Sequence, residues 1–265
     1  MFEYEFMRQA FIASTFIAIT AGIVGVFVVS RNMSFLSHTL SEIGFAGASF
    51  GILIGISSLA GMILFTIISS IAVGSLSSES SRREASISAI SSLFIGLGIL
   101  FLSLSSESSS YATNILFGSI VGISTKEVQQ LVILAVVVIA IFIIFYKPLS
   151  FDSFDHIGAR AAGLKTRLLS IAFLVTLALS VSIGAQIVGS LLVFVLLTLP
   201  GATAKYLVHT IPKLLMVSVG LSLAGVWLGL YLAFITNWPV TFFISSFEVL
   251  AYFCGLTYKN WKLNH

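Results

Sequence analysis

Charged side chains are scarce in this sequence. Only 9% of its 265 residues are Asp, Glu, Lys or Arg, and 58% are hydrophobic, whereas about a quarter of a soluble domain is charged. One water-soluble core cannot hide so much apolar surface. The composition therefore excludes an ordinary soluble domain and favours a chain whose solvent is the lipid bilayer.

Cysteine is nearly absent, and two common motifs, one for binding nucleotides and one for zinc-dependent hydrolysis, are missing. The single cysteine, Cys254, excludes an intrachain disulfide and a thiolate-rich metal site. The chain contains no Gly-x-x-x-x-Gly-Lys-Ser/Thr phosphate loop and no His-Glu-x-x-His zinc-hydrolase motif. It is therefore not expected to hold ATP in a phosphate loop. Its net charge of +3 comes without a basic, aromatic-interleaved patch, so no nucleic-acid partner is expected.

Long apolar runs recur along the chain, and each can cross ~30 Å of hydrocarbon as a helix. Together they predict an all-α integral membrane protein with about eight to nine transmembrane helices in a single domain over residues 1–265. The run at 186–203 is short, and 34–55 joins 57–77 through a brief turn, so a re-entrant piece is an alternative in either region. The runs lie near 10–29, 34–55, 57–77, 88–107, 129–147, 167–184, 186–203, 213–233 and 239–257.

The basic residues predict an orientation. If nine spans alternate from an N-terminus outside, eleven Lys and Arg residues lie in the cytoplasm and only Arg8 and Lys126 lie outside. The positive-inside rule favours this arrangement, which also places the C-terminus in the cytoplasm. The longest polar stretch on the cytoplasmic side, 147–165, predicts a short amphipathic helix under the membrane. Serine-rich stretches at 75–81 and 103–110 predict loops.

His38 and Glu42 are the most informative polar pair, because ionisable groups inside apolar segments are costly and often functional. Four residues apart on a helix, they lie on one face, one turn apart. Counted from Arg31 at 1.5 Å per residue, they lie about 10 Å and 16 Å into the membrane. One imidazole and one carboxylate suit Zn(II), Mn(II) or Fe(II). The alternative is that they hydrogen-bond each other or a neighbouring helix.

Two further features have both a structural and a functional interpretation. Gly47, Gly51 and Gly55 recur every fourth residue and predict close packing against a neighbouring span, with substrate contact as the alternative. Glu248 lies deep in the last apolar run and is either a further metal ligand or the partner of a polar neighbour.

Three stretches of the chain are distinctive, namely RNMSFLSHTLSEIGFAGASFG at 31–51, FDSFDHIGARAAGL at 151–164 and GSLLVFVLLTLPGATA at 189–204. In this order they resemble the ABC-3 family of metal permeases. In that family the first stretch usually carries an Asp and, four residues later, a His, and both are proposed metal ligands. Here His38 and Glu42 hold the matching positions in the reverse order. The resemblance therefore implies that these two residues bind the metal in the translocation path.

The resemblance also implies partners. The second stretch is similar to the family's cytoplasmic coupling segment, which contacts the ATP-binding-cassette ATPase. The coupling residues are then Asp155, His156, Gly158, Ala159, Arg160, Gly163 and Leu164. A permease homodimer, an ATPase subunit and an extracytoplasmic metal-binding protein are implied as well. No cofactor is expected beyond the transported Zn, Mn or Fe ion.

Two other functions are compatible with the residues. An ion-coupled secondary metal transporter would use Glu42 or Glu248 as a proton relay and would need no ATPase partner. A membrane-embedded hydrolase would need a nucleophile near a base, and the sequence offers Ser37 beside His38. Neighbours in sequence point about 100° apart on a helix, so this pair is poorly arranged for catalysis.

Overall fold

The structure is a computed structural model that describes residues 4–76, 80–105, 115–116, 118, 124–190 and 192–263. Helix is the only regular secondary structure within these ranges. The helices are, in chain order, α1 (Glu5–Ser30), α2 (Ser34–Ile54), α3 (Ser58–Leu76), α4 (Ser80–Leu104), α5 (Thr125–Ile144), α6 (Tyr146–Phe154), α7 (His156–Ala161), α8 (Thr166–Val188), α9 (Val193–Leu207), α10 (Ile211–Thr236) and α11 (Val240–Leu263).

Six of these helices are long and apolar enough to cross a membrane: α1, α4, α5, α8, α10 and α11. The apolar parts of α3 and α9 are shorter, at 58–73 and 193–207. Helix α2 has 21 residues, the length of a span, but it carries His38 and Glu42. The predicted fold class, an all-α integral membrane protein, is confirmed.

The chain forms two compact units. The first comprises residues 1–34, 120–143 and 195–265, and the second comprises 35–119 and 144–194. Both are assembled from segments distant in sequence, so neither unit corresponds to a continuous half of the chain.

Small residues bring the helices of the first unit together. Helix α10 packs along α1 and α11. The Ser218 hydroxyl on α10 donates to the Gly22 carbonyl on α1 at 2.8 Å. A Cβ at Gly25 would lie only 2.8 Å from the Leu197 carbonyl oxygen on α9. Glycine is needed there because the two backbones leave no space for a side chain.

The second unit contains a hydrogen-bonded seam between two helices and a hydrophobic core beside it. Helix α3 packs along α8, and the Thr66 and Ser182 hydroxyls lie 3.0 Å apart across that contact. Beside this seam a core forms from residues of α2, α3, α8 and the segment that follows α4. Its buried members are Phe45, Ala48, Met62, Ile115 and Ala185.

Several predicted boundaries are wrong. The apolar run at 186–203 is broken, because α8 ends at Val188, Gly189 takes a φ of +86°, and α9 begins only at Val193. At both ends of the loop predicted at 75–81 the described residues are helical, since α3 includes Ser75 and Leu76 and α4 begins at Ser80, whereas 77–79 lie outside the described residues. Most of the second predicted loop, 103–110, lies outside the described residues.

Candidate metal site and coupling segment

His38 and Glu42 lie side by side on the open face of α2. The His38 Nδ1 and Glu42 Oε1 atoms are 3.6 Å apart, and the two side chains are 40% and 26% exposed. All the remaining residues from Leu36 to Ser49 are buried. Helix α2 is therefore enclosed over this length except where its imidazole and its carboxylate reach the surface of the chain.

Two neighbours fix the orientation of this pair. The buried Ser91 hydroxyl on α4 donates to Glu42 Oε2. The Phe194 ring meets the His38 ring edge to face, with 4.7 Å between centroids. The Ser41 hydroxyl also donates to the Ser190 carbonyl, which ties α2 to the connection between α8 and α9. Groups of this kind orient metal ligands in proteins.

Sequence reasoning missed Ser91 and Phe194. Both belong to apolar helices in which serine and phenylalanine are common, so neither has a sequence signal. Only the packing of α2 against α4 and the start of α9 singles them out.

The depth predicted for the pair needs correction. It assumed a continuous helix from Arg31, but α1 ends at Ser30, Asn32 has a φ of +54°, and α2 begins at Ser34. At 1.5 Å per residue, His38 lies about 6 Å and Glu42 about 12 Å along α2. Glu42 is thus close to the middle of this helix, whereas His38 is one turn nearer its start.

The pair offers an incomplete coordination shell. Among the residues that the structure describes, no three His, Cys, Asp or Glu side chains lie together to hold a metal. One nitrogen and one carboxylate leave the remaining positions to water, hydroxyl groups or another protein chain. Such a shell suits an ion that is bound and then released.

Glu248 has a different environment. It lies within the first unit and is fully buried, and neither carboxylate oxygen has a hydrogen-bond partner in the described part of the chain. Its Oε1 occupies space that the glycine at Gly225 leaves open, 2.7 Å from where a Cβ would be. A role for Glu248 as a further ligand stays a prediction.

The three predicted packing glycines differ in their surroundings. Gly47 on α2 faces the backbone of Gly61 on α3, and a Cβ at Gly51 would lie 2.9 Å from the Ser57 carbonyl oxygen. Gly55 lies beyond the end of α2 with a φ of +78° and no atom within 4 Å of its Cβ position. The prediction that Gly55 continues the helix face is therefore wrong, and its glycine permits the left-handed turn instead.

The run from Gly47 to Gly51 also matches the Gly-x-Ser-x-Gly pattern of hydrolase nucleophile elbows. That elbow needs a sharp turn after a strand, with an exposed serine. Here Ser49 is buried within α2, and its hydroxyl donates to the Phe45 carbonyl at 2.9 Å. These residues therefore belong to the packed interior of α2 and do not form a nucleophile elbow.

The predicted coupling segment folds as two short helices rather than one. Helix α6 ends at Phe154 and α7 begins at His156, with Asp155 at the corner. The Asp155 carboxylate accepts from the Gly158 amide at 2.8 Å and caps α7. Asp152, with a side chain only 1% exposed, lies 2.8 Å from the His156 Nδ1. Asp152 and Asp155 together fix the angle between α6 and α7.

The remaining predicted coupling residues form a compact turn after this corner. Gly158 contacts the Asp155 carboxylate so closely that a Cβ there would displace the cap. Ala159 is buried, whereas Arg160 is exposed in the last turn of α7. Gly163 has a φ of +80°, and the Leu164 amide donates to the Ala159 carbonyl at 3.1 Å, which ends the helix.

Comparisons with known proteins cover nearly the whole chain. It is 29% identical over 238 residues to the manganese transport system membrane protein MntC of Listeria innocua, which covers 89% of this chain and 85% of the relative. It is also 29% identical over 235 residues to a probable iron transport system membrane protein of Haemophilus influenzae, covering 88% and 86%.

The fold matches a solved structure. The structure of PsaBC from Streptococcus pneumoniae in complex with Fab superimposes with a TM-score of 0.86 at 24% sequence identity, covering 95% of this chain and 91% of that one. The model of the ABC 3 transport family matches residues 3–259. The chain therefore belongs to the ABC 3 transport family.

Proposed function

We propose that this chain is the membrane permease subunit of an ATP-driven importer, which moves a divalent transition metal, Zn, Mn or Fe, into the cytoplasm. The observation that carries the proposal is the His38–Glu42 pair on the open face of an otherwise buried helix, in a chain of the ABC 3 transport family. The names of the manganese and iron transport relatives support a metal as the transported substrate.

The proposed path runs along the open face of α2. The His38 imidazole and the Glu42 carboxylate bind the ion transiently, while Ser91 holds the carboxylate in place. Mixed nitrogen and oxygen donors favour Zn(II), Mn(II) or Fe(II) over Ca(II) and Mg(II), which prefer oxygen ligands. A second copy of the chain facing this side supplies the opposite wall in the proposed homodimer.

The proposed energy source is a separate ATP-binding-cassette ATPase. The corner between α6 and α7 is its docking element, because buried Asp152 and the Asp155 cap make this segment a rigid lever. ATP-driven closure of the ATPase moves the lever, and the two permease copies rock between outward-open and inward-open states. An extracytoplasmic metal-binding protein delivers the ion, and the N-terminus lies on that side of the membrane.

A growth experiment tests the proposed substrate class. A strain that lacks this subunit is grown in chelated medium, and Zn, Mn and Fe are restored one at a time with and without the gene. We expect the gene to restore growth at a limiting concentration of at least one of these ions. Equal growth with and without the gene for all three ions, in a strain that makes the protein, would refute metal import.

Replacing Ser91 should weaken metal affinity without destroying the protein. The variant Ser91→Ala removes the hydrogen bond to Glu42, and loss of such a supporting group typically costs about 10- to 100-fold in metal affinity. We expect the concentration for half-maximal uptake to rise by at least tenfold. Ser92→Ala is the matched control, because the exposed Ser92 hydroxyl donates to the Ser88 carbonyl within its own helix. Identical uptake curves for both variants would contradict this role.

Replacing Asp152 should uncouple the permease from its ATPase. In Asp152→Ala, His156 loses its carboxylate partner and the corner between α6 and α7 loosens. We expect copurification of the ATPase and metal uptake to fall at least fivefold, while the chain still accumulates in the membrane. Lys147→Gln, an exposed change at the start of α6, serves as the control. Undiminished copurification with Asp152→Ala would argue against the lever.

A further inference from the structure

We propose that the first unit binds the headgroup of an anionic phospholipid at the end where α9 and α11 finish. This site, the lysine–tyrosine site, is formed by Tyr206 on α9 and by Tyr252 and Lys259 on α11. Lys205 and Lys262 lie next to it in sequence, one residue from Tyr206 and three residues from Lys259. It is separate from the His38–Glu42 pair, which belongs to the second unit. Its occupant is a lipid of the surrounding bilayer, so the proposal does not depend on the transported substrate.

The site is assembled by direct contacts between the two helices. The Tyr206 and Tyr252 hydroxyls are 2.9 Å apart, and the Lys259 Nζ lies 5.2 Å from the centre of the Tyr206 ring. A Cβ at Gly255 would touch Tyr206 at 3.6 Å, so glycine allows α11 to approach α9 here. The close approach of the two helices therefore places the Lys259 ammonium group over the face of the Tyr206 ring.

The site has positive charge that this part of the chain does not neutralise. From residue 195 to the C-terminus the sequence contains one acid, Glu248, against the four lysines at 205, 213, 259 and 262. Glu248 is buried about 16 Å from Lys259 along α11. The exposed acids Glu5 and Glu127 lie at the start of α1 and α5. The end of α1, and not its start, packs beside Ala204 and Leu214 next to the site, so the start of α1 with Glu5 is far from the lysines.

The hydroxyl pair adds a hydrogen-bond donor for a phosphate. Two phenols carry two O–H protons, and one of them bridges Tyr206 and Tyr252. The second proton is available to a further acceptor, such as a phosphate oxygen. Ammonium groups beside a phenol O–H match the phosphodiester of a lipid headgroup, which carries one negative charge and accepts hydrogen bonds.

The position along the helix favours a lipid over a soluble anion. Lys259 lies 19 residues after the start of α11, about 28 Å along it, which matches ~30 Å of hydrocarbon. Its ammonium group therefore lies at headgroup depth. The outer face of α11 exposes Leu250 and Phe253, which acyl chains can cover, and Tyr258 and Trp261, which suit the membrane interface.

Trp261 gives a direct way to test the site. It is 61% exposed and lies between Lys259 and Lys262, whereas Trp238, 59% exposed, precedes the opposite end of α11. With Trp227 and Trp238 changed to Phe, Trp261 is the only tryptophan of the full chain. The chain is then reconstituted in vesicles that contain phosphatidylglycerol or phosphatidylcholine brominated near the headgroup, and quenching of tryptophan fluorescence is measured.

We expect brominated phosphatidylglycerol to quench Trp261 with an apparent association constant at least fivefold above that of brominated phosphatidylcholine, because a single lysine near the surface contributes about that factor. The double variant Lys205→Gln, Lys259→Gln should lower this ratio several-fold and leave only the contribution of Lys262. Lys126→Gln, an exposed change at the start of α5, should leave it unchanged. A chain whose only tryptophan is Trp238 should show no preference.

Three outcomes would overturn the proposal. Equal quenching of Trp261 by the two lipids would mean that no anionic headgroup is selected. Loss of the preference on addition of inorganic phosphate at tens of millimolar would mean that the lysines bind a soluble anion and not a lipid headgroup. Oxidative cross-linking through Cys254, the exposed single cysteine of α11, combined with the absence of quenching by either lipid, would assign this face to a second copy of the chain.

Discussion

Uptake of the transported metal should fall at least 100-fold in His38→Ala and in Glu42→Gln. Each change removes one of the two proposed ligands, the His38 imidazole or the Glu42 carboxylate, so the ion would retain a single strong donor. No other described residue can replace the lost ligand, because no third His, Cys, Asp or Glu lies with the pair. Initial rates of uptake with a radioactive isotope of the metal measure the effect.

Two control variants separate loss of a ligand from loss of a side chain of the same type. His209→Ala removes an exposed histidine in the connection between α9 and α10. Glu5→Gln alters an exposed acid whose contact is the Gln9 side chain at 3.3 Å. Both controls should transport normally, and all four variants should accumulate equally in the membrane. Normal uptake by His38→Ala and Glu42→Gln would leave the pair with a structural role only, in which Glu42 accepts the hydrogen bond from Ser91 on α4.

A bulky residue at Gly47 should strongly destabilise the second unit. Gly47 on α2 faces the Gly61 carbonyl on α3, and its Cβ position is also 2.9 Å from the Phe65 Cβ. In Gly47→Leu the two helices must separate, and overpacking of this kind commonly costs about 1–3 kcal/mol or more. We expect little of this variant in the membrane and a melting temperature in detergent at least 10 °C lower.

Gly96 provides the matched control for this prediction. It lies on α4, in the same unit, and no atom is within 4 Å of its Cβ position. Gly96→Leu should therefore accumulate and melt like the unaltered protein. If Gly47→Leu and Gly96→Leu behaved alike, the close contact between α2 and α3 would not limit stability.

The long helices were predictable because bilayer thickness sets a length that apolar runs reveal directly. Their ends were not equally predictable. A run such as 186–203 has uniform hydropathy, yet a positive φ at Gly189 breaks it into two helices. Glycine is common in this chain, and only the path of the neighbouring backbone determines which glycines turn and which pack.

The candidate site was predictable in part for a related reason. His38 and Glu42 attract notice because polar groups are rare in apolar runs, and their spacing places them on one face of any helix. The partners of the pair follow from tertiary packing, which a single serine such as Ser91 does not signal in sequence. Glu248 has the same rarity, but the sequence could not reveal that Gly225 on α10 makes room for its carboxyl group within the first unit.

Contact between His38 and the transported metal can be measured directly by X-ray absorption at the metal edge, on the purified permease–ATPase complex loaded with the ion that restores growth. We expect a scattering signature of one bound imidazole, present in the unaltered protein and in His209→Ala but lost in His38→Ala. An imidazole signature that persists in His38→Ala, or spectra from the unaltered complex without one, would contradict the claim that His38 contacts the transported metal.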